Sequence, residues 1–167
     1  MAKETKTKTT DCKKVTIKAD KIVAAYQILS TPSNPQARKE GFKLSTLDPN
    51  DMYIVIRAIG VLEPEAEAYN KFRNGASERL KPGNWDETME KYSKFDELTE
   101  EEKIAVNKAI LEYDRHVNEC MMTELEKDKE IDAYEHLSEE AFAKLVKAND
   151  HIINDIPTLR LLREILA

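Results

Sequence analysis

An all-α protein built on a long antiparallel helical hairpin, with shorter flanking helices, is the fold class that the sequence predicts. Three observations carry that expectation. Residues 99–129 contain no Gly and no Pro and bear one apolar stripe. Residues 48–80 form a second periodic stretch of nearly matched length. The composition, with 4 Gly, 6 Pro and 35% charged residues, suits long solvated helices better than a sandwich or a dinucleotide-binding fold.

The 99–129 stretch is the strongest signal. Thr99 is placed to cap the first turn, and Glu102, three residues on, completes a capping box. Glu100 and Glu101 set negative charge where the helix dipole favours it. Val106, Ile110, Tyr113, Val117 and Cys120 then follow at steps of 4, 3, 4 and 3, and the seam drifts to Met121 and Leu125. Such a helix is roughly 45 Å long, and a single stripe of that length needs a partner. The partner is the 48–80 stretch. Asp48 is its expected cap and Pro49 its first helical residue. Met52, Ile56, Ile59, Leu62, Ala66, Tyr69, Phe72, Ala76 and Leu80 recur at steps of three and four. Pro64 interrupts this pattern and removes the hydrogen bond to the Gly60 carbonyl, so a kink or a meeting of two helices is expected there.

The remaining elements are shorter. Residues 1–14 hold Lys3, Lys6, Lys8, Lys13 and Lys14 against Glu4 and Asp11, a net +3, and read as a flexible basic N-terminal arm. Residues 15–167 are expected to form a single helical domain. Ile22, Val23, Tyr26 and Leu29 mark a first helix that stops before Pro32, with Val15, Thr16 and Ile17 entering in extended form. A loop follows, in which Arg38, Lys39 and Lys43 surround Phe42; three loop cations read as ordinary surface rather than a nucleic-acid site. Trp85, Met89, Tyr92 and Phe95 outline a short amphipathic helix connecting the two long ones. Ile131 and Ala133 alternate with Asp132 in a short extended piece, Ser138 caps another helix, and Pro157 starts the last one.

Charge and motif content exclude several functions. The chain carries −6, hence −9 outside the arm, with a pI of about 5.3, so it has no general affinity for phosphate backbones. Nucleic acid is expected only through the arm. Two cysteines, Cys12 and Cys120, make neither a disulfide framework nor a zinc site. No apolar run reaches the ~18 residues of a membrane span, and the N-terminal lysines precede no signal-type apolar core. Glu-x-x-His pairs, a nucleophile elbow, a Walker loop and Cys-x-x-Cys are all missing from the sequence. Glu112, His116 and Glu119 share a helix face but read as solvated charge rather than metal ligands. No catalytic residue, cofactor or metal is expected.

The C-terminal run carries the candidate interaction surface: Leu159, Leu161, Leu162, Ile165 and Leu166. One face can dock on the hairpin through Leu159, Leu162 and Ile165. Leu161 and Leu166 lie off that line and are expected to seek a neighbouring subunit.

Taken as a succession of elements, the chain resembles a family of small uncharacterised helical proteins of tailed bacteriophages, encoded near tail genes. The resemblance runs over residues 15–149. It is carried by the opening helix KADKIVAAYQIL, by Leu62, Glu63, Glu65, Tyr69, Phe72 and Arg73, by EEEKIAVNKAILEYDRHVNE, and by the segment 138–145. It implies a non-enzymatic virion or virion-assembly subunit, made in the bacterial host cytoplasm and placed in the virion. Its implied partners are other copies of itself or phage structural proteins. The alternative is a small acidic phage regulatory protein that binds and inhibits a host protein.

Overall fold

A computed structural model describes residues 13–167. Of the expected arm, residues 1–12 lie outside the described residues. The expected boundary at residue 14 is corrected, because Lys14 already belongs to a strand.

The chain is mainly helical. Strand β1 (Lys14–Lys18) runs into α1 (Ala19–Leu29), followed by α2 (Pro49–Arg79), α3 (Trp85–Ser93), a 3₁₀ turn at Phe95–Glu97, α4 (Glu100–Leu125), strand β2 (Asp128–Asp132), α5 (Glu139–Ala148) and α6 (Ile156–Leu166). The all-α expectation is corrected by the two strands. They pair antiparallel, with Lys14 opposite Asp132, Val15 opposite Ile131 and Lys18 opposite Asp128. Ion pairs close both ends of the ladder, Lys14–Asp132 at 2.6 Å and Lys18–Asp128 at 3.6 Å. Each extended segment has the alternation of a strand, but neither one names a partner more than a hundred residues away.

Local chemistry sets the helix starts. Asp48 accepts hydrogen bonds from the backbone of Asn50 (2.9 Å) and Asp51 (3.0 Å), ahead of Pro49. The capping box is formed: the Glu102 amide donates to Thr99 Oγ1 at 3.4 Å, and the Thr99 amide donates to the Glu102 carboxylate at 3.0 Å. That backbone bond also holds the Glu102 carboxyl below its ordinary range. Ser138 caps α5 through the Ala141 amide, and Asp155 caps α6 through the Thr158 amide.

α2 runs through Pro64 as one helix rather than as two. Gly60 and Pro64 are both exposed, so the carbonyl that proline leaves without an amide donor faces water, which lowers the cost of the missing bond. The predicted stripe on α2 is also shifted. Val55, Ala58, Leu62, Ala66 and Ala76 are buried, whereas Ile56 is exposed. On α3 the buried residue is Thr88, while Met89 and Tyr92 face outward.

The main core is assembled away from the longest apolar stripe. Ile22, Ala25 and Leu29 of α1, Val55, Ala58 and Leu62 of α2, Ile131 of β2, Phe142 and Leu145 of α5, and Leu162, Ile165 and Leu166 of α6 pack together. On α4 only Val106 and Val117 are buried. The distal part of α2, with α3 and α4, makes a thinner layer. There Tyr113 donates its hydroxyl to the Ser77 carbonyl at 2.8 Å and its ring lies 4.3 Å from that of Trp85. The two layers therefore differ in how much apolar surface they bury. Leu145→Ala, in the main core, is expected to cost about 2–5 kcal/mol in denaturant unfolding. Val117→Ala, in the thinner layer, is expected to cost less, near the ~0.5–1.5 kcal/mol of a small side-chain truncation. Because Leu→Ala removes three carbons and Val→Ala two, a Val117→Ala loss of about two thirds of the Leu145→Ala loss would show that the layers are equally well packed.

Candidate interaction surface

α6 is the place to begin, because the sequence puts its candidate surface there. Asp155 accepts from the Thr158 amide at 2.7 Å and sets the first turn, with Pro157 inside it. From that start, Leu162, Ile165 and Leu166 all point into the main core and are fully or almost fully buried. Leu161 is half-buried and packs against the same core. Only Leu159, together with Ile156, is exposed. The candidate surface is therefore corrected: it is largely an internal face. α6 is covered by α1, α2 and α5 together, so a face wider than one contact is filled within the chain.

The end of α6 is held as firmly as its face. The Leu137 amide donates to the Leu166 carbonyl at 2.6 Å, and the Tyr134 hydroxyl donates to the Ile165 carbonyl at 2.9 Å. Two of the carbonyls that a helix terminus leaves without partners are satisfied by the segment that follows β2. Lys21 and Arg163 add ion pairs, Lys21–Glu164 and Arg163–Glu139, on the rim. Burial pushes the Tyr134 phenol up to about 12.

The free apolar surface lies on α4. Ile104, Leu111 and Met122 are 67%, 68% and 57% exposed. Steps of 7 and 11 residues place them on one line, opposite the face that buries Val106 and Val117. Lys108 and Arg115 fall between them, and Asn107, Lys108, Glu112 and Arg115 join Ile104 and Leu111 around a shallow hollow. Lys108, Glu112 and Asp114 form no ion pair among the described residues, whereas Arg115 reaches Glu119 at 3.5 Å. The sequence signal for this stripe was present in the 7-residue step from Ile104 to Leu111, but the charged residues between them concealed it.

The other groups singled out in the sequence are placed as follows. His116 contacts the Arg115 guanidinium at 3.3 Å and is exposed with Glu112 and Glu119. Among the described residues, no three His, Cys, Asp or Glu side chains are grouped so as to hold a metal. Cys120 is a half-buried free thiol on α4. No helix among the described residues is long and apolar enough to cross a membrane. Compared with family models, with curated proteins and with solved structures, the chain matches none.

Tyr134 yields a pH test of the α6 clamp. Its phenol is raised in the folded state, so between pH ~10, where an exposed tyrosine ionises, and about 12 the unfolded chain binds fewer protons than the folded one. Stability contributed by the neutral phenol is complete below that window and is lost as pH rises through it. Tyr134→Phe is expected to flatten the alkaline part of the stability curve relative to wild type, measured by urea unfolding from pH 9 to 12. An unchanged alkaline slope would mean that the phenol ionises as freely in the folded chain as in the unfolded one.

Proposed function

We propose that this protein is a non-enzymatic virion or virion-assembly subunit of a tailed phage, made in the bacterial cytoplasm and acting through helix-to-helix contacts. The distal part of α2 and α4 serve as its long antiparallel hairpin, and the outer face of α4 is the contact. The observation that carries this reading is the exposed line Ile104–Leu111–Met122 on a helix whose other face is already occupied.

The occupant is a second copy of the chain. Two α4 helices laid antiparallel about a two-fold axis level with Tyr113 set Ile104 against Met122 of the second copy. The same pairing lays Leu111 on the aliphatic stem of Arg115 and sets the Arg115 guanidinium one residue from Glu112 of the second copy, while Lys108 falls level with Asn118. The face is thus self-complementary in its apolar line and in one reciprocal Arg115–Glu112 approach, as an isologous contact requires. Covering what remains exposed of these three side chains on both copies gains roughly 6–12 kcal/mol gross, against an association cost of about 4–15 kcal/mol. A lone pair is weak on these figures. A subunit held among many neighbours gains the rest from effective concentration.

The alternative reading, an acidic regulator that binds a host protein, draws on the exposed run Asp96, Glu97, Glu100, Glu101 and Glu102 and on the net charge of −6. Sedimentation equilibrium separates the two. The wild type is expected to self-associate reversibly at submillimolar concentration and more weakly at high salt. Leu111→Glu is expected to be monomeric while changing unfolding stability by no more than ~0.5 kcal/mol, as an exposed site should. A wild type that stays monomeric throughout, or a Leu111→Glu variant that associates equally well, would defeat the α4 contact and leave the regulator as the better account.

A further inference from the structure

A second feature, independent of α4, lies in the loop between α1 and α2. Asn34 and Lys39 exchange both backbone hydrogen bonds, at 2.8 and 3.0 Å, and the Ala37 amide donates to Asn34 Oδ1 at 3.0 Å. This tight turn forces Arg38 to φ 53°, and no other non-glycine residue among those described has a positive φ. Arginine gains nothing from that conformation, which glycine or asparagine adopts at less cost, so the backbone strain there points to use of the side chain.

The loop is fixed rather than draped. The buried Asn149 accepts from the Lys43 amide at 2.6 Å and donates to the carbonyls of Lys43 (2.8 Å) and Leu145 (2.9 Å). The Phe42 amide donates to the Thr31 carbonyl at 2.9 Å, and a Cβ at Gly41 would collide with the backbone of residues 31–33. His151 meets the Gly41 carbonyl through Nε2 at 3.2 Å.

These constraints enclose an open hollow of about 630 Å³ lined by Pro32, Asn34, Arg38, Lys39, His151 and Ile152 among others. The Arg38 and Lys39 side chains make no hydrogen bond or ion pair among the described residues. The carboxylate on the wall, Glu40, is engaged by Lys43, which holds its carboxyl below the ordinary range. Two uncommitted cations and an imidazole therefore line a half-open surface hollow with apolar surface at Pro32 and Ile152, on a chain that is acidic as a whole. The geometry points to a binding site for a small phosphomonoester, its phosphate held by Arg38 and Lys39 and its organic body resting on Pro32 and Ile152. A guanidinium fork matches phosphate oxygens, and two cations match the charge of a dianion better than that of a single carboxylate.

The test is amide-resolved NMR of the full chain, titrated at constant ionic strength with inorganic phosphate and with phenyl phosphate. Saturable shifts are expected at residues 31–41 and 149–152, with phenyl phosphate the tighter ligand. Arg38→Gly is expected to weaken phenyl phosphate by about tenfold or more, as loss of a charge-assisted bond does, while the melting temperature holds or rises because glycine accepts the positive φ. Lys39→Gln, which leaves the turn intact, is expected to weaken it several-fold. The assignment is overturned if neither ligand gives saturable shifts, if shifts spread over every lysine-bearing face, or if both variants bind as the wild type does.

Discussion

The antiparallel pairing of β1 with β2 is the constraint on which the rest of the architecture depends. It ties residues 14–18 to residues 128–132 and so closes the segment from α1 to α4 into one loop. The ladder continues at both ends: the Ala19 amide donates to the Lys127 carbonyl at 2.9 Å, and the Ala133 amide to the Lys13 carbonyl at 2.8 Å. α1 therefore begins where α4 ends. A two-stranded ribbon of five residues a side is marginal by itself. It persists because Ile131 is buried and Ile17 packs on the same core, so ribbon and core support each other. Pairing at so large a sequence separation carries a loop-closure cost that formation of a local helix does not.

Once the ribbon is closed, the segment after β2 reaches the end of α6 and receives its carbonyls on Leu137 and Tyr134. Coverage of α6 by α1, α2 and α5 accounts for the burial of three of its large apolar side chains. α4 has no such surround. Its inner face meets α2, α3 and, near its end, α1, and the line Ile104–Leu111–Met122 on its outer face is left exposed among the described residues. The contrast between the two helices is one of neighbours as well as of composition, α6 being the more densely apolar.

What the sequence made legible follows the same division between local and distant. The caps at Asp48, Thr99 and Ser138 depend on residues two or three positions apart, and each forms as its spacing implies. Both extended segments show their alternation. Their pairing does not, because nothing in VTIK specifies DKEID over any other strand. Leu162 and Ile165 turn inward as their spacing implies, but the burial of Leu166 and the exposure of Leu159 depend on which helices surround α6, so periodicity can show an apolar face but not what covers it. Arg38 is the clearest limit. The turn Pro35–Arg38 holds neither glycine nor asparagine at the position that takes a positive φ, so the strain that marks the loop has no sequence signal at all.

The two-layer packing also has a mechanical meaning. Beyond Pro64, α2 leaves the main core and fully buries only Ala66 and Ala76, just as α4 fully buries only Val106 and Val117. Elements with few buried contacts and an interrupted hydrogen-bond ladder open at lower free energy than the body they extend from. On this burial pattern the main core serves as a base and the distal α2–α4 layer as a lever expected to yield before it, with the apolar stripe of α4 mounted on the lever. In the proposed subunit, such a stripe would adapt its angle to a neighbour without loosening the base. In a repeating lattice, small differences of curvature from one subunit to the next would be absorbed in the levers, and the bases would stay alike.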